Sequence, residues 1–180
     1  MTALYIISKY LTFPGAYLRC FWEQIMCRMC GCAIESDGYM RLDEACGHID
    51  HDFPKGKAKA VCVAMIPGIM NFLFGAVFAL SGIFPLFILG VDFSASKVMF
   101  CIYCVSLYVG ASMLCNIFPI VDDALLCWER VMRPEKGSGI ISKILLFIPS
   151  AVMIAGAYVE KYCISFIIWA AAVAAAFAIL

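Results

Sequence analysis

The chain has only two histidines, and both fall in one short run, Cys46-Gly-His48-Ile-Asp50-His51-Asp52. At three residues apart they would share a face of a helix, the arrangement used by paired imidazole ligands, and Asp50 or Asp52 could add an oxygen ligand or orient a ring. The plain alternative is a pair of solvated histidines in a polar segment. A second group is made of thiols: Cys27-Arg-Met-Cys30-Gly-Cys32 is a C-x-x-C followed by another cysteine, and Cys46 stands just before the histidines. A cysteine–histidine zinc cluster is one reading. The other is packing, because 11 cysteines in 180 residues make a C-x-x-C unremarkable, and Cys101-x-x-Cys104 falls inside an apolar run. Arg19 and Glu23 are four apart, one turn of a helix, where opposite charges partly neutralise each other. Asp122 and Asp123 follow Asn116-Ile-Phe-Pro119-Ile-Val. They form either an ordinary polar helix boundary or a site reaching back into a helix bundle, and the asparagine and proline favour a broken helix end.

These groups must be held by elements of a membrane protein. Of the 180 residues 64% are hydrophobic and 14% charged, with 13 basic against 13 acidic side chains, and mean hydropathy is +0.95; soluble domains run at about 45–50% apolar and about 25% charged. A net charge of zero gives no polybasic or acidic tail, so nucleic acid is not an expected partner and membrane lipid is. A spanning helix needs about 20 mostly apolar residues. Four windows qualify: Ala60 to Ile83, Val98 to Val121, Ile144 to Val159 with its flanks, and Cys163 to Leu180. Pro67 predicts a kink in the first, and Phe84 to Gly90 is either its tail or a shallow return loop. Residues 13–32, interrupted by Arg19, Glu23 and Arg28, either enter the membrane or lie on it as an amphipathic helix anchored by aromatic side chains. The expectation is an all-α, polytopic transmembrane bundle of about four spans plus this N-terminal helix, in a single domain over 1–180, with a C-terminal helical hairpin over 140–180. The N-terminus has no basic region or cleavage site of a signal peptide.

Basic residues set the expected orientation. Residues 34–59 carry Arg41, Lys55, Lys57 and Lys59, and the 122–143 connection carries Arg130, Arg133, Lys136 and Lys143, against Lys97 and Lys161 in the opposite loops. That bias places the polar 34–59 segment and the 122–143 loop in the cytoplasm, where cysteines stay as thiols or bind metal. The alanine-rich last window suits close helix packing, within the chain or in a homodimer.

The order of these pieces resembles the site-2 protease family of intramembrane zinc metalloproteases. Phe13-Pro-Gly-Ala-Tyr-Leu-Arg19-Cys-Phe-Trp-Glu23-Gln-Ile-Met-Cys-Arg28-Met-Cys-Gly31 looks like the family's first core helix. Ala60-Val-Cys-Val-Ala-Met-Ile-Pro67-Gly-Ile-Met-Asn71-Phe-Leu-Phe-Gly is similar to the second, and Tyr108-Val-Gly-Ala-Ser-Met-Leu-Cys-Asn116-Ile-Phe-Pro119-Ile-Val-Asp-Asp123 to the third, whose Asn-x-x-Pro leads to an aspartate that ligates zinc. The likeness covers residues 13–130. It breaks at the chemistry: where the family carries H-E-x-x-H, Arg19 and Glu23 stand at the two histidine positions and Cys20 at the glutamate position. Arginine stays protonated and cannot ligate a cation. Two functions follow from the resemblance. One is a core without catalysis that binds or regulates another membrane protein. The other is a rearranged zinc site, made by His48 and His51 with Glu23 and Asp122 or Asp123, hydrolysing peptides within the bilayer. A small transporter is a third reading, weakened by the scarcity of polar groups in the windows.

Overall fold

A computed structural model describes residues 2–36, 38–43, 46–94, 96–133 and 140–179, with the side chains of all of these except 2, 140–145 and 176–179. Lys136 and the side chains of Lys143, Ala176 and Ala178, which entered the orientation and packing expectations, lie outside that description. The described residues form seven α-helices: α1 (Thr2–Leu11), α2 (Phe13–Cys30), α3 (Lys57–Ile83), α4 (Lys97–Leu114), α5 (Val121–Met132), α6 (Ile140–Lys161) and α7 (Ile164–Ile179). The polar segment before α3 departs from the all-α expectation. It contains a two-stranded antiparallel sheet, β1 (Ile34–Ser36) with β2 (Asp50–His51).

Two stretches, Lys57–Ile88 and Lys97–Leu114, are long and apolar enough to cross a membrane. A third joins them if Leu146–Lys161 and Ile164–Ala175 are taken as one broken span. Helices α6 and α7 meet at a bend of 66°, with Cys163 in the left-handed region at φ 57°. Phe84 to Ile88 continues α3 as one π turn, so that segment is the tail of the helix. Pro67 lies buried inside α3, which runs through it unbroken.

The long α3 is the centre of the molecule, packed by α2, α4, α5 and α6. Its seam with α4 is built on small residues: a Cβ added at Gly110 would strike the backbone of Ala79, so the two helices touch main chain to main chain. Polar groups stitch the other seams. The Asn71 amide donates to the carbonyls of Gly15 at 2.9 Å and Asn116 at 2.7 Å. Asn116 in turn donates to Thr12 Oγ1 at 2.9 Å and the Ser112 carbonyl at 2.8 Å, and Ser112 accepts from the Gly15 amide at 2.7 Å. In hydrocarbon each of these groups would be costly without a partner. The network fixes the start of α2, the middle of α3 and the end of α4 relative to one another, and the irregular 115–120 segment follows from that point.

Candidate functional site

Helix α2 presents Arg19 and Glu23, one turn apart, toward α3 and the 115–120 segment, and both are fully buried at 0% and 1% exposure. The break after α4 turns its backbone inward at Ile117, whose carbonyl accepts from Arg19 Nη1. Gly68 permits this approach, since a Cβ there would meet the same carbonyl. The chain then enters α5 with Asp122 and Asp123 in its first turn, where carboxylates face the positive end of the helix dipole. Asp122 is exposed to the outside, whereas Asp123 is turned inward.

The histidine segment folds over this floor. His51 Nε2 lies 3.8 Å from Glu23 Oε1 and 3.8 Å from Asp123 Oδ2, and one ligand atom of each of the three residues falls within 4.8 Å of the others. His48 Nδ1 stands 3.5 Å from Glu23 Oε2 and 3.4 Å from Arg19 Nε. The Ile49 amide donates to Glu23 Oε2 at 3.4 Å. The Nε2 atoms of both imidazoles and the Nη2 of Arg19 have no hydrogen-bond partner. Four of the five expected site residues, His48, His51, Glu23 and Asp123, are therefore brought together, and Asp122 is not among them. The expectation of two histidines on one helical face is overturned: His51 belongs to the short strand β2 and His48 to the loop before it, because the polar run has no apolar period to support a helix.

Burial and neighbouring charge separate the titrating groups of this cluster. Burial holds the His48 imidazole down, to about 4, against the pull of Glu23. Burial also works against a charged His51, but Cys27 and Glu23 beside it and the charge of Asp123 push it up to about 11. Asp123 is raised to about 7 by burial and by the charge of Glu23. The result is an imidazolium between two carboxyl groups, with a guanidinium behind it.

The remaining candidates lie elsewhere. Asp50 pairs with Arg41, and Asp52 is exposed. Cys20, at the glutamate position of the resemblance, is buried with its thiol 3.8 Å from the Tyr39 carbonyl and offers no carboxylate. Cys46 packs with Tyr5 and Cys163, away from Cys27, so the cysteine–histidine cluster read from the sequence is not assembled through Cys46. All eleven cysteines are free thiols. Sequence reasoning missed the buried pair of Lys9 with Glu160, which also ties Lys9 Nζ to Asn116 Oδ1 at 2.8 Å and Glu160 Oε2 to the Phe118 amide at 2.9 Å. Its signal was a lone lysine and a lone glutamate in otherwise apolar helices, each needing a partner.

Comparison of the chain with family models, with curated proteins and with solved structures finds no match.

Proposed function

We propose that this chain is an integral membrane protein with a site-2-protease-like core that does not hydrolyse peptides and instead binds or regulates another membrane protein. The observation that carries this reading is Arg19, wholly buried at the position where the resemblance asks for the first zinc-binding imidazole. Arg19 and the protonated His51 supply two positive charges opposite two carboxyl groups, Glu23 and Asp123. The cluster already holds at least as much positive charge as negative. A dication added to it would leave the buried guanidinium uncompensated, which low-dielectric surroundings penalise strongly.

An apolar cleft of about 360 Å³ lies beside the cluster, with Ala64, Gly68, Phe72, Ile117, Pro149 and Val152 among its walls. Gly68 and Ile117 are shared with the Arg19 contact. A side chain of a partner's transmembrane segment would seat there without meeting a reactive group. In this reading the chain sits in a cytoplasmic membrane, with about four spans and with residues 34–59 and 122–143 on the cytoplasmic side, as the basic residues suggest.

The second reading rests on a specific geometry as well. Glu23, His51 and Asp123 can offer ligand atoms within 4.8 Å of one another, and the unpartnered His51 Nε2 faces both carboxylates. Those donors suit zinc, which would polarise a water for attack on a peptide carbonyl, with neutral His48 at hand as a base. The two readings separate in one experiment. Metal content of the detergent-purified protein is measured beside a His51→Ala, Asp123→Asn variant, together with cleavage of a membrane-tethered reporter. The proposal expects the same metal content in both proteins and no cleavage by either. One equivalent of zinc lost in the variant, together with cleavage by the wild type alone, overturns it in favour of a rearranged metalloprotease.

A further inference from the structure

The C-x-x-C-x-C run ends α2, and of its three thiols only Cys27 borders the cluster described above, beside His51. The helix closes on Gly31 in the left-handed region at φ 73°, with the Gly31 amide on the Arg28 carbonyl and the Cys32 amide on the Cys27 carbonyl. This paired 5→2 and 6→1 closure brings the side chains at its two outer positions into contact, and those positions are Cys27 and Cys32, which pack in one apolar cluster. Cys30 lies on the same helix face as Cys27, one turn on. The start of α3 packs against this end: Lys59 Nζ donates to the Cys30 carbonyl at 3.0 Å, and Cys62, three residues further along the same face of α3, joins the same apolar cluster as Cys27, Cys30 and Cys32. Four cysteines, two from α2, one just past its cap and one from α3, thus pack in one apolar cluster, three of them only half-buried.

We infer that Cys27, Cys30, Cys32 and Cys62 form a binding site for a soft, thiophilic metal cation such as zinc, cadmium or copper(I). Thiolates are the ligands that select these ions, and four of them close a tetrahedral shell. No three of the sulfurs lie within 4.8 Å of one another, so uptake requires rotation of the half-buried Cys30, Cys32 and Cys62 side chains about χ1. Burial keeps the Cys32 thiol above its ordinary range, so the cation must displace the protons: four thiols and one dication give a tetrathiolate complex and four released protons. That complex carries two negative charges. Lys59, fixed at the Cys30 carbonyl, and Arg28, in the last turn of α2, stand beside it as the counter-charge. The site does not depend on whether the Glu23, His51 and Asp123 cluster binds metal.

The test uses the reduced, detergent-purified full chain and Cd²⁺ alone. Titration should give a sulfur-to-cadmium charge-transfer band saturating at one equivalent, and bound cadmium should protect Cys27, Cys30, Cys32 and Cys62, but not Cys101, from alkylation read by peptide mass spectrometry. The band should be lost in Cys30→Ser, Cys62→Ser, and kept both in Cys101→Ser, Cys104→Ser and in His51→Ala, Asp123→Asn. Retention in the last variant separates this site from the acid–imidazole cluster. A wild-type titration without the band, or alkylation of the four thiols unchanged by cadmium, overturns the inference without recourse to any variant. So does a Cys27–Cys32 disulfide that persists in the reduced preparation.

Discussion

Replacing Arg19 by methionine tests whether the buried cluster is held by charge balance. Arg19 and Glu23 are four apart on α2 and are 0% and 1% exposed, so screening by water is slight. With the two charges about 6 Å apart and an effective dielectric of about 20, their attraction is about 3 kcal/mol. Arg19→Met removes that attraction and leaves Glu23 and Asp123 facing His51 alone. Glu23→Gln removes it from the other side and leaves the guanidinium with a carbonyl and an imidazole for company. Each single substitution is expected to destabilise the fold by about 3 kcal/mol, and the double substitution by far less than the sum, because neither then leaves a buried charge without its counterpart. Unfolding in mixed micelles of mild detergent and dodecyl sulfate, followed by circular dichroism, gives the four free energies of the cycle. Additivity within about 0.5 kcal/mol would refute the reasoning. Metal content measured on the same samples adds a second reading: Arg19→Met taking up an equivalent of zinc that the wild type does not hold would mean that the guanidinium had been occupying the place of a cation.

Two further outcomes follow from the geometry. Asn71→Leu keeps the volume but removes both amide donations, to Gly15 and Asn116; at about 0.6–1.7 kcal/mol for each bond in a membrane bundle, the loss is about 1–3 kcal/mol, and an unchanged unfolding midpoint in the same assay would deny the network its structural role. Stability should also depend on pH in a particular way. His48, lowered to about 4 from 6.5, contributes stability above pH 6.5 that is lost as pH falls, while Asp123, raised to about 7 from 3.8, favours folding at low pH and loses that contribution between pH 4 and 7. The two oppose each other over that range and leave a shallow profile. His51, raised to about 11 from 6.5, contributes stability present below pH 6.5 and lost as pH climbs toward 11. The wild type should therefore weaken steadily above pH 7, and His51→Asn should not; parallel pH profiles for the two proteins would count against an imidazolium in the cluster.

Much of the helical architecture was legible because it rests on local signals. The apolar windows from Ala60 and from Val98 marked α3 and α4 directly, and Asn116 with Pro119 marked the broken end after α4. What periodicity could not show was the behaviour of polar segments with no repeat. Residues 34–59 read as a polar stretch, and their small sheet depends on Ile34 pairing with His51 across 16 intervening residues, a register that no composition signal encodes. The choice between Asp122 and Asp123 was likewise open in the sequence. Adjacent residues on a helix point about 100° apart, so only the packing of α5 on α6 and α3 decides which carboxylate turns inward.

The groups that sequence spacing could not join are those whose pairing spans the chain. Lys9 and Glu160 are 151 residues apart, yet neither belongs in an apolar interior alone, and together they clamp α1 to the end of α6 across the same Asn116 that anchors α2 and α3. Arg19 obeys the same logic: a cation on an otherwise buried helix face demands counter-charge, and the chain supplies it from α2 itself and from α5, with the histidine segment laid over both. For Lys9 the charge was visible in the sequence and its partner was not; for Arg19 the spacing showed Glu23 one turn away but not Asp123. A buried charge at such a position is best read as a requirement that some distant segment must meet, and here Asp123 of α5 helps meet it for Arg19 as Glu160 does for Lys9.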